Sequence, residues 1–192
     1  MIEEKKVWQT LCSGSIEALE ILFKEYFDEL AGYGRKISSD HSLVEDVIQD
    51  LFMYLWEKHA SLSKVDRVKS YIFIAYKRRL IKELQKQNKF VEEENSKEHG
   101  FELSMEDMLV VEELDKIKST EVRRALLELG AKQKEAIYLK FHLGLSIAEM
   151  ADQLDMNPQS VKNLLNRTYK KLRQHISQEL ILYLIHRLQK CT

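Results

Sequence analysis

Apolar side chains recur every three or four positions along most of this chain, the spacing that gathers them on one face of an α-helix. Ile16, Leu19, Leu22, Phe23, Tyr26, Phe27 and Leu30 follow Ser15, a residue suited to accept a free backbone N–H, and predict a helix over 16–36. Val44, Val47, Ile48, Leu51, Phe52 and Leu55 repeat the pattern. Ser42 and Glu45 stand three apart just ahead of that run, a capping-box spacing, and predict a second helix over 43–58. The polar stretch ASLSKVDR makes 60–67 a loop. VKSYIFIAYKRRLIKELQKQ then predicts a third helix over 68–87, whose first half is apolar nearly all round and so belongs between other helices.

The last third is equally regular. A helix is expected over 119–129, Gly130 interrupts it, and AKQKEAIYLKFHLG supplies another that ends at Gly144. Ser146 and Glu149 form a second capping box, and Asn157 precedes Pro158, a cap followed by proline at the first helical position. Helices over 147–154 and 158–175 therefore flank a three-residue turn, DMN, which is helix-turn-helix geometry. Beyond it, Ile176, Leu180, Ile181, Leu184, Ile185 and Leu188 give the tail an apolar face broader than a lone surface helix needs. That face is expected to pack on the neighbouring helical domain, on the first domain, or on a regulator.

Composition strengthens this picture. One proline, six glycines and 44% hydrophobic residues, with almost no hairpin dipeptides, indicate an all-α protein. A length of 192 residues suits two small helical domains. The expected organisation is a helical domain over 1–88, an acidic linker over 89–118 in which 105–118 can form a short helix, a helix-turn-helix domain over 119–176, and an amphipathic tail over 177–192.

The net charge of −1 hides segregation. Val91 to Asp115 holds ten acidic residues and one lysine, whereas Lys64 to Lys89 holds nine Lys or Arg against Asp66 and Glu83. Lys162 to Arg173 holds five basic residues and no acid. Two basic surfaces for a polyanion, joined by an acidic connector, are the natural inference.

Several classes are excluded. Cys12 and Cys191 lie at opposite ends and form no disulfide framework, which fits a reducing, cytoplasmic setting. No signal core or bilayer-spanning run is present, so no membrane insertion is expected. The six histidines show no metal-ligand spacing, and neither a phosphate loop nor a nucleophile elbow occurs. The expectation is a non-enzymatic protein with no cofactor and no metal.

The candidate chemistry is recognition. A helix over 158–175 presents Gln159, Ser160, Lys162, Asn163, Asn166 and Arg167 outward, above an inward stripe of Val161, Leu164, Leu165 and Leu172. Asn and Gln can pair with adenine edges, and Arg and Lys with guanine, while Lys170, Lys171 and Arg173 suit phosphates. In the third helix Tyr71, Phe73 and Tyr76 stand among Lys69, Lys77, Arg78, Arg79 and Lys82, aromatic and cationic partners for unpaired bases. Tyr71 and Tyr76 share their angle with core positions and are better read as core; Phe73 fits either role. The second helix poses its own question, because its wet side sets Met53, with Trp56 at the edge, among Asp46, Gln49, Asp50 and Glu57.

With both halves in view the chain resembles an extracytoplasmic-function sigma factor, the small two-domain branch of the sigma-70 family of bacterial RNA polymerase. DVIQDLFMYLW looks like the family's D-x-x-Q-[ED]-x-F-x-x-[LV]-W signature, SYIFIAYKRRLIKEL is similar to its promoter-melting helix, and ALLELGAKQKEAIYLKFHLGLSIAEMADQLDMNPQSVKNLLNRTYKKLR looks like its fourth region. The resemblance covers about 15–88 and 119–175.

It implies a protein that binds core RNA polymerase and directs initiation from promoter DNA without catalysing a covalent step. Carried over, Asp46, Gln49, Asp50, Phe52 and Trp56 match the signature. Asp46, Gln49, Asp50 and Met53 would contact polymerase, Phe52 would pack inward, and Trp56 would do either. Gln159, Ser160, Lys162, Asn163, Asn166, Arg167, Lys170 and Lys171 would meet the upstream (−35) element. The loop 60–67 matches the one that captures a flipped base of the downstream (−10) element, with Lys64, Arg67, Lys69, Lys77, Arg78, Arg79 and Lys82 assisting melting. Arg78 and Lys82 depart from the family's common Asn and Asp, Asp155 from a common Gly, and Gly130 from a common Pro. A monomer is expected, with an anti-sigma factor among its partners. The rival readings are a dimeric helix-turn-helix regulator of operator DNA and a helical protein that sequesters a partner.

Overall fold

The computed structural model describes residues 3–62, 65–90, 100–103 and 116–177, with side chains left undescribed at 88–90 and 116–120. All regular structure among these residues is helical, and the chain divides into two compact units, residues 1–99 and 100–192.

The first unit opens with a helix that the apolar spacing of 16–87 did not announce, α1 (Glu4–Cys12). It has no side-chain cap, so its stability comes from burial: Trp8 and Leu11 sit in the core, and removing a buried ring of that size costs about 3–5 kcal/mol. Gly14, at a φ of +92°, reverses the chain where a side chain would be strained. Ser15 then caps α2 (Ile16–Arg35), its hydroxyl accepting from the Ala18 N–H at 3.1 Å.

α3 (His41–Glu57) starts earlier than the predicted box allows. Asp40 is its cap, with Oδ1 accepting from the Leu43 N–H at 3.0 Å, so Ser42 and Glu45 lie inside the helix and on its exposed side. The segment SSDHS offers several cap-competent side chains, and the carboxylate at its third position, Asp40, takes the role. The core stripe is unaffected, and Val44, Val47, Ile48, Leu51, Phe52 and Leu55 are all buried.

α4 (Val68–Phe90) runs through the centre of this unit and buries Val68, Ile72, Phe73, Tyr76, Leu80 and Leu84. α2 admits it at Gly34, where a Cβ would collide with the Tyr76 hydroxyl and lie 2.9 Å from Val44 Cγ1. α2, α3 and α4 thus interlock at one glycine.

The second unit includes Phe101, inside the stretch read from sequence as linker. Its ring is buried edge-on to Tyr138 at 5.5 Å. α5 (Lys116–Leu127) and α6 (Ala131–Ile137) are separated by Gly130, whose N–H donates to Gln133 Oε1 at 3.2 Å. α6 continues as one widened turn over Tyr138–His142, and Gly144, at a φ of +65°, ends it where the sequence placed the stop. α7 (Ile147–Leu154) and α8 (Pro158–Leu172) follow. Val122, Ala125, Leu126 and Leu129 pack with Ile137, Phe141, Leu172 and Ile176 in one apolar cluster. The acidic run 91–99, most of the short helix suggested over 105–118, and the tail from 178 lie outside the described residues.

Candidate functional site

On α3 one face is spent on the core and the other is free. Asp46, Gln49, Asp50 and Glu57 are exposed, and Met53 is 59% exposed, far more than a packing methionine would be. Phe52 turns inward and meets Phe23 edge-on at 5.1 Å. Trp56 is half-buried, and its indole stacks on His59 with centroids 5.2 Å apart. His59 Nδ1 lies 2.7 Å from the Trp56 carbonyl oxygen; an oxygen there only accepts, so Nδ1 carries the proton. Trp56 is therefore packed on one face against His59 and partly open to solvent.

Tyr54, on the same helix, is a residue that sequence reasoning passed over. The Arg79 guanidinium of α4 sits 4.3 Å from its ring centre, a cation–π contact across the two helices. The signal was its position one turn from Lys58 and opposite a cluster of arginines, which only the helix crossing makes meaningful.

The cations expected to help melt DNA are thus not equivalent. Arg67, Arg78 and Lys82 are exposed, while Lys77 and Arg79 are half-buried. Lys69 is paired with Glu29 at 2.9 Å in a partly buried setting, so its charge is already balanced. Lys64 lies outside the described residues. Of the aromatics, Phe73 has no exposure and meets Tyr33 edge-on at 5.8 Å, which settles its role as core. Tyr76 is core as well. Tyr71 is half-buried against Trp8 at 5.2 Å, and burial raises its hydroxyl above the usual phenol range.

The helix-turn-helix is built as its sequence suggests. Ser146 and Glu149 exchange both bonds of a capping box, at 2.8 Å and 3.3 Å. Asp155 takes the left-handed turn at a φ of +51°, and Asn157 accepts from the Ser160 N–H at 2.8 Å ahead of Pro158. α8 buries Val161, Leu164, Leu165 and Leu172 and carries no acid. Gln159, Lys162, Asn163, Asn166, Arg167, Lys170 and Lys171 are exposed, and Ser160 is half-exposed. Gln159 Nε2 donates to Asn163 Oδ1 at 3.2 Å, Arg167 Nε donates to the Asn163 carbonyl at 3.3 Å, and Lys171 Nζ reaches the Glu128 carbonyl at 3.1 Å. Gln159, Asn163 and Arg167 are thereby linked along the exposed face of α8.

Comparison with known families decides what these surfaces belong to. The protein-family model for Sigma-70 region 2 matches residues 22–90, and that for Sigma-70, region 4, matches residues 119–172. The chain belongs to the sigma-70 family. It is an RNA polymerase sigma factor of the extracytoplasmic-function type, and its two regions imply core RNA polymerase and promoter DNA as partners.

Solved structures carry the same fold. The chain is similar to CnrH in its complex with the cytosolic domain of CnrY, with a TM-score of 0.59 and 18% identity over 89% of this chain and 95% of that one. It is similar also to the sigma factor RpoE bound to the anti-sigma factor NepR from Bartonella quintana, with a TM-score of 0.56 and 22% identity over 86% and 98%. No curated protein sequence matches it significantly. Among the described residues no helix of this sigma factor is long and apolar enough to cross a membrane.

Proposed function

We propose that the outer face of α3 is where this sigma factor docks on core RNA polymerase, through Asp46, Gln49, Asp50, Met53 and the open edge of Trp56. The observation that carries this reading is the exposure of Met53 between exposed carboxylates on a helix whose opposite face is wholly buried. Carboxylates steer a basic partner and the methionine supplies apolar contact at the centre. Gln159, Ser160, Lys162, Asn163, Asn166 and Arg167 read base edges of the upstream promoter element, and Lys170 and Lys171 hold its phosphates. The loop that ends at Arg67 captures a base of the downstream element, and Arg78 and Lys82 attract the separated strand.

The protein acts in the cytoplasm as a monomer and performs no covalent step of its own. Both solved relatives hold a protein partner, which supports a regulator of the anti-sigma kind for this chain too.

The deciding variant is Asp50→Lys. It sits on an exposed position, so its thermal unfolding matches wild type, while capture by purified core polymerase and run-off transcription from a selected promoter are lost. Retained binding to core polymerase at wild-type affinity overturns the docking face.

A further inference from the structure

α1 precedes the matched sigma-70 region, which begins at residue 22. Its contacts are not those of a helix that merely covers a core. Lys5 Nζ lies 3.1 Å from Asp66 Oδ1, at the far end of the loop between α3 and α4. Gly14, just past the end of α1, lies against the His59 ring at the near end of that loop, with Nε2 at 3.4 Å from where a Cβ would stand. Trp8 meets Tyr71, and the Tyr71 N–H is bonded to the Arg67 carbonyl at 3.0 Å in the first turn of α4. The segment Lys5–Gly14 therefore touches the loop's entry, its exit and the helix turn that follows.

The mechanical consequence follows from burial. Trp8 and Leu11 are almost fully enclosed, so α1 is fixed to the core. Contacts from this segment to His59 at the loop's entry and to Asp66 at its exit fix where the two ends stand, and fixing the ends beforehand removes part of the entropy that capture of a ligand would otherwise cost.

We propose that α1 is a strap that positions the two ends of the promoter-capturing loop, with Lys5 as a positioning residue acting through Asp66. The inference rests on the reading of that loop as the site for a flipped base. Lys5 and Asp66 are both largely exposed, 63% and 95%, so their pair can bias the loop but not hold the fold.

The test is a double-mutant cycle of Lys5→Gln and Asp66→Asn in the full chain, bound to core polymerase. The probe is a duplex promoter selected from a random library by wild-type holoenzyme, with 2-aminopurine placed in turn at each adenine of the downstream element. The cycle cancels any direct effect of either charge on DNA. The expected result is that the two substitutions are non-additive by about two- to fivefold in the rate of base flipping, the size an exposed pair can supply. This coupling fades as salt is raised, while affinity for core polymerase and thermal unfolding stay at wild-type values. Additive effects, or a Lys5→Gln holoenzyme that flips at the wild-type rate, overturn the strap. If the wild-type holoenzyme initiates transcription yet gives no 2-aminopurine change, the reading of the loop itself fails, and the strap with it.

Discussion

Gly34 is a tight point in the first unit, because three helices meet on the side where it has no Cβ. An alanine there would gain helix propensity yet drive a methyl group into the Tyr76 hydroxyl, with Val44 Cγ1 2.9 Å away. Gly34→Ala is expected to destabilise this unit by about 1–3 kcal/mol in urea or thermal unfolding. Tyr76→Phe alone costs little, since the hydroxyl's bond to the Val44 carbonyl is long, at 3.5 Å. In the Tyr76→Phe background Gly34→Ala then recovers part of its loss, which a purely backbone effect would not do. The same burial gives an alkaline limit. Tyr76 and Tyr26 are held well above the usual phenol range, chiefly by desolvation, with Glu4 adding to Tyr26. Both rings stay protonated when folded, while the unfolded chain begins to ionise them near a pH of about 10. Their contribution is therefore complete below that pH and is lost above it, at up to about 1.4 kcal/mol per pH unit for each ring. Unfolding midpoints measured from pH 9 to 11 should fall, and Tyr76→Phe should make the fall shallower.

At the scale of elements, the start of α3 separates two caps that the sequence offers together. Asp40→Ala is expected to cost about 0.5–2 kcal/mol in thermal unfolding, and Ser42→Ala to change stability by no more than a few tenths, because the Leu43 N–H is accepted by Asp40 and the cap does not use Ser42. The converse result would restore the capping box at Ser42 and Glu45. This contrast also marks what sequence alone delivers. Helices were legible wherever an apolar stripe ran for three turns or more, as in α2, α3 and α8, because the stripe's period is imposed by burial. Their starts were legible where a cap-competent side chain stood directly ahead of an apolar residue or a proline, as at Ser15, Ser146 and Asn157. SSDHS crowds several such residues together, and choosing among them takes the tertiary path of the chain. α1 escaped because its buried pair, Trp8 and Leu11, is a single turn of signal with no side-chain cap to frame it. Its partners Tyr71, His59 and Asp66 are some fifty or sixty residues away, a distance over which local periodicity carries no information. The Tyr54–Arg79 contact was hidden for the same reason. Each residue was visible on its own helix, but only the crossing of α3 and α4 brings them to 4.3 Å.

For the whole molecule, charge is the property that matters, and its sum misleads. A net charge of −1 would suggest indifference to DNA, yet the sequence had already sorted its cations into α4 and α8, and α8 carries them with no intervening acid. Affinity for the upstream element should therefore fall with salt in proportion to the phosphates that α8 contacts, by about 0.9 in the logarithmic slope for each. Within that face the structure distinguishes residues that the sequence treated alike. Lys162 and Lys170 are exposed, with no bond to the protein described for their ammonium groups, whereas Lys171 is tied to the Glu128 carbonyl. Holoenzyme carrying Lys170→Ala should bind a selected upstream element with a slope shallower by about one, and Lys171→Ala should alter it less. Asn163 belongs to the other class of contact. Held by Gln159 and flanked by Arg167, on the proposed reading it would present an uncharged amide to the groove. Asn163→Ala should leave the slope where it is, cost about 1–3 kcal/mol on the preferred sequence, and relax selection at one base pair. If instead Asn163→Ala flattened the salt dependence and left base preference intact, α8 would be gripping the backbone rather than reading the groove, and the division of this surface into reading amides and holding cations would fail.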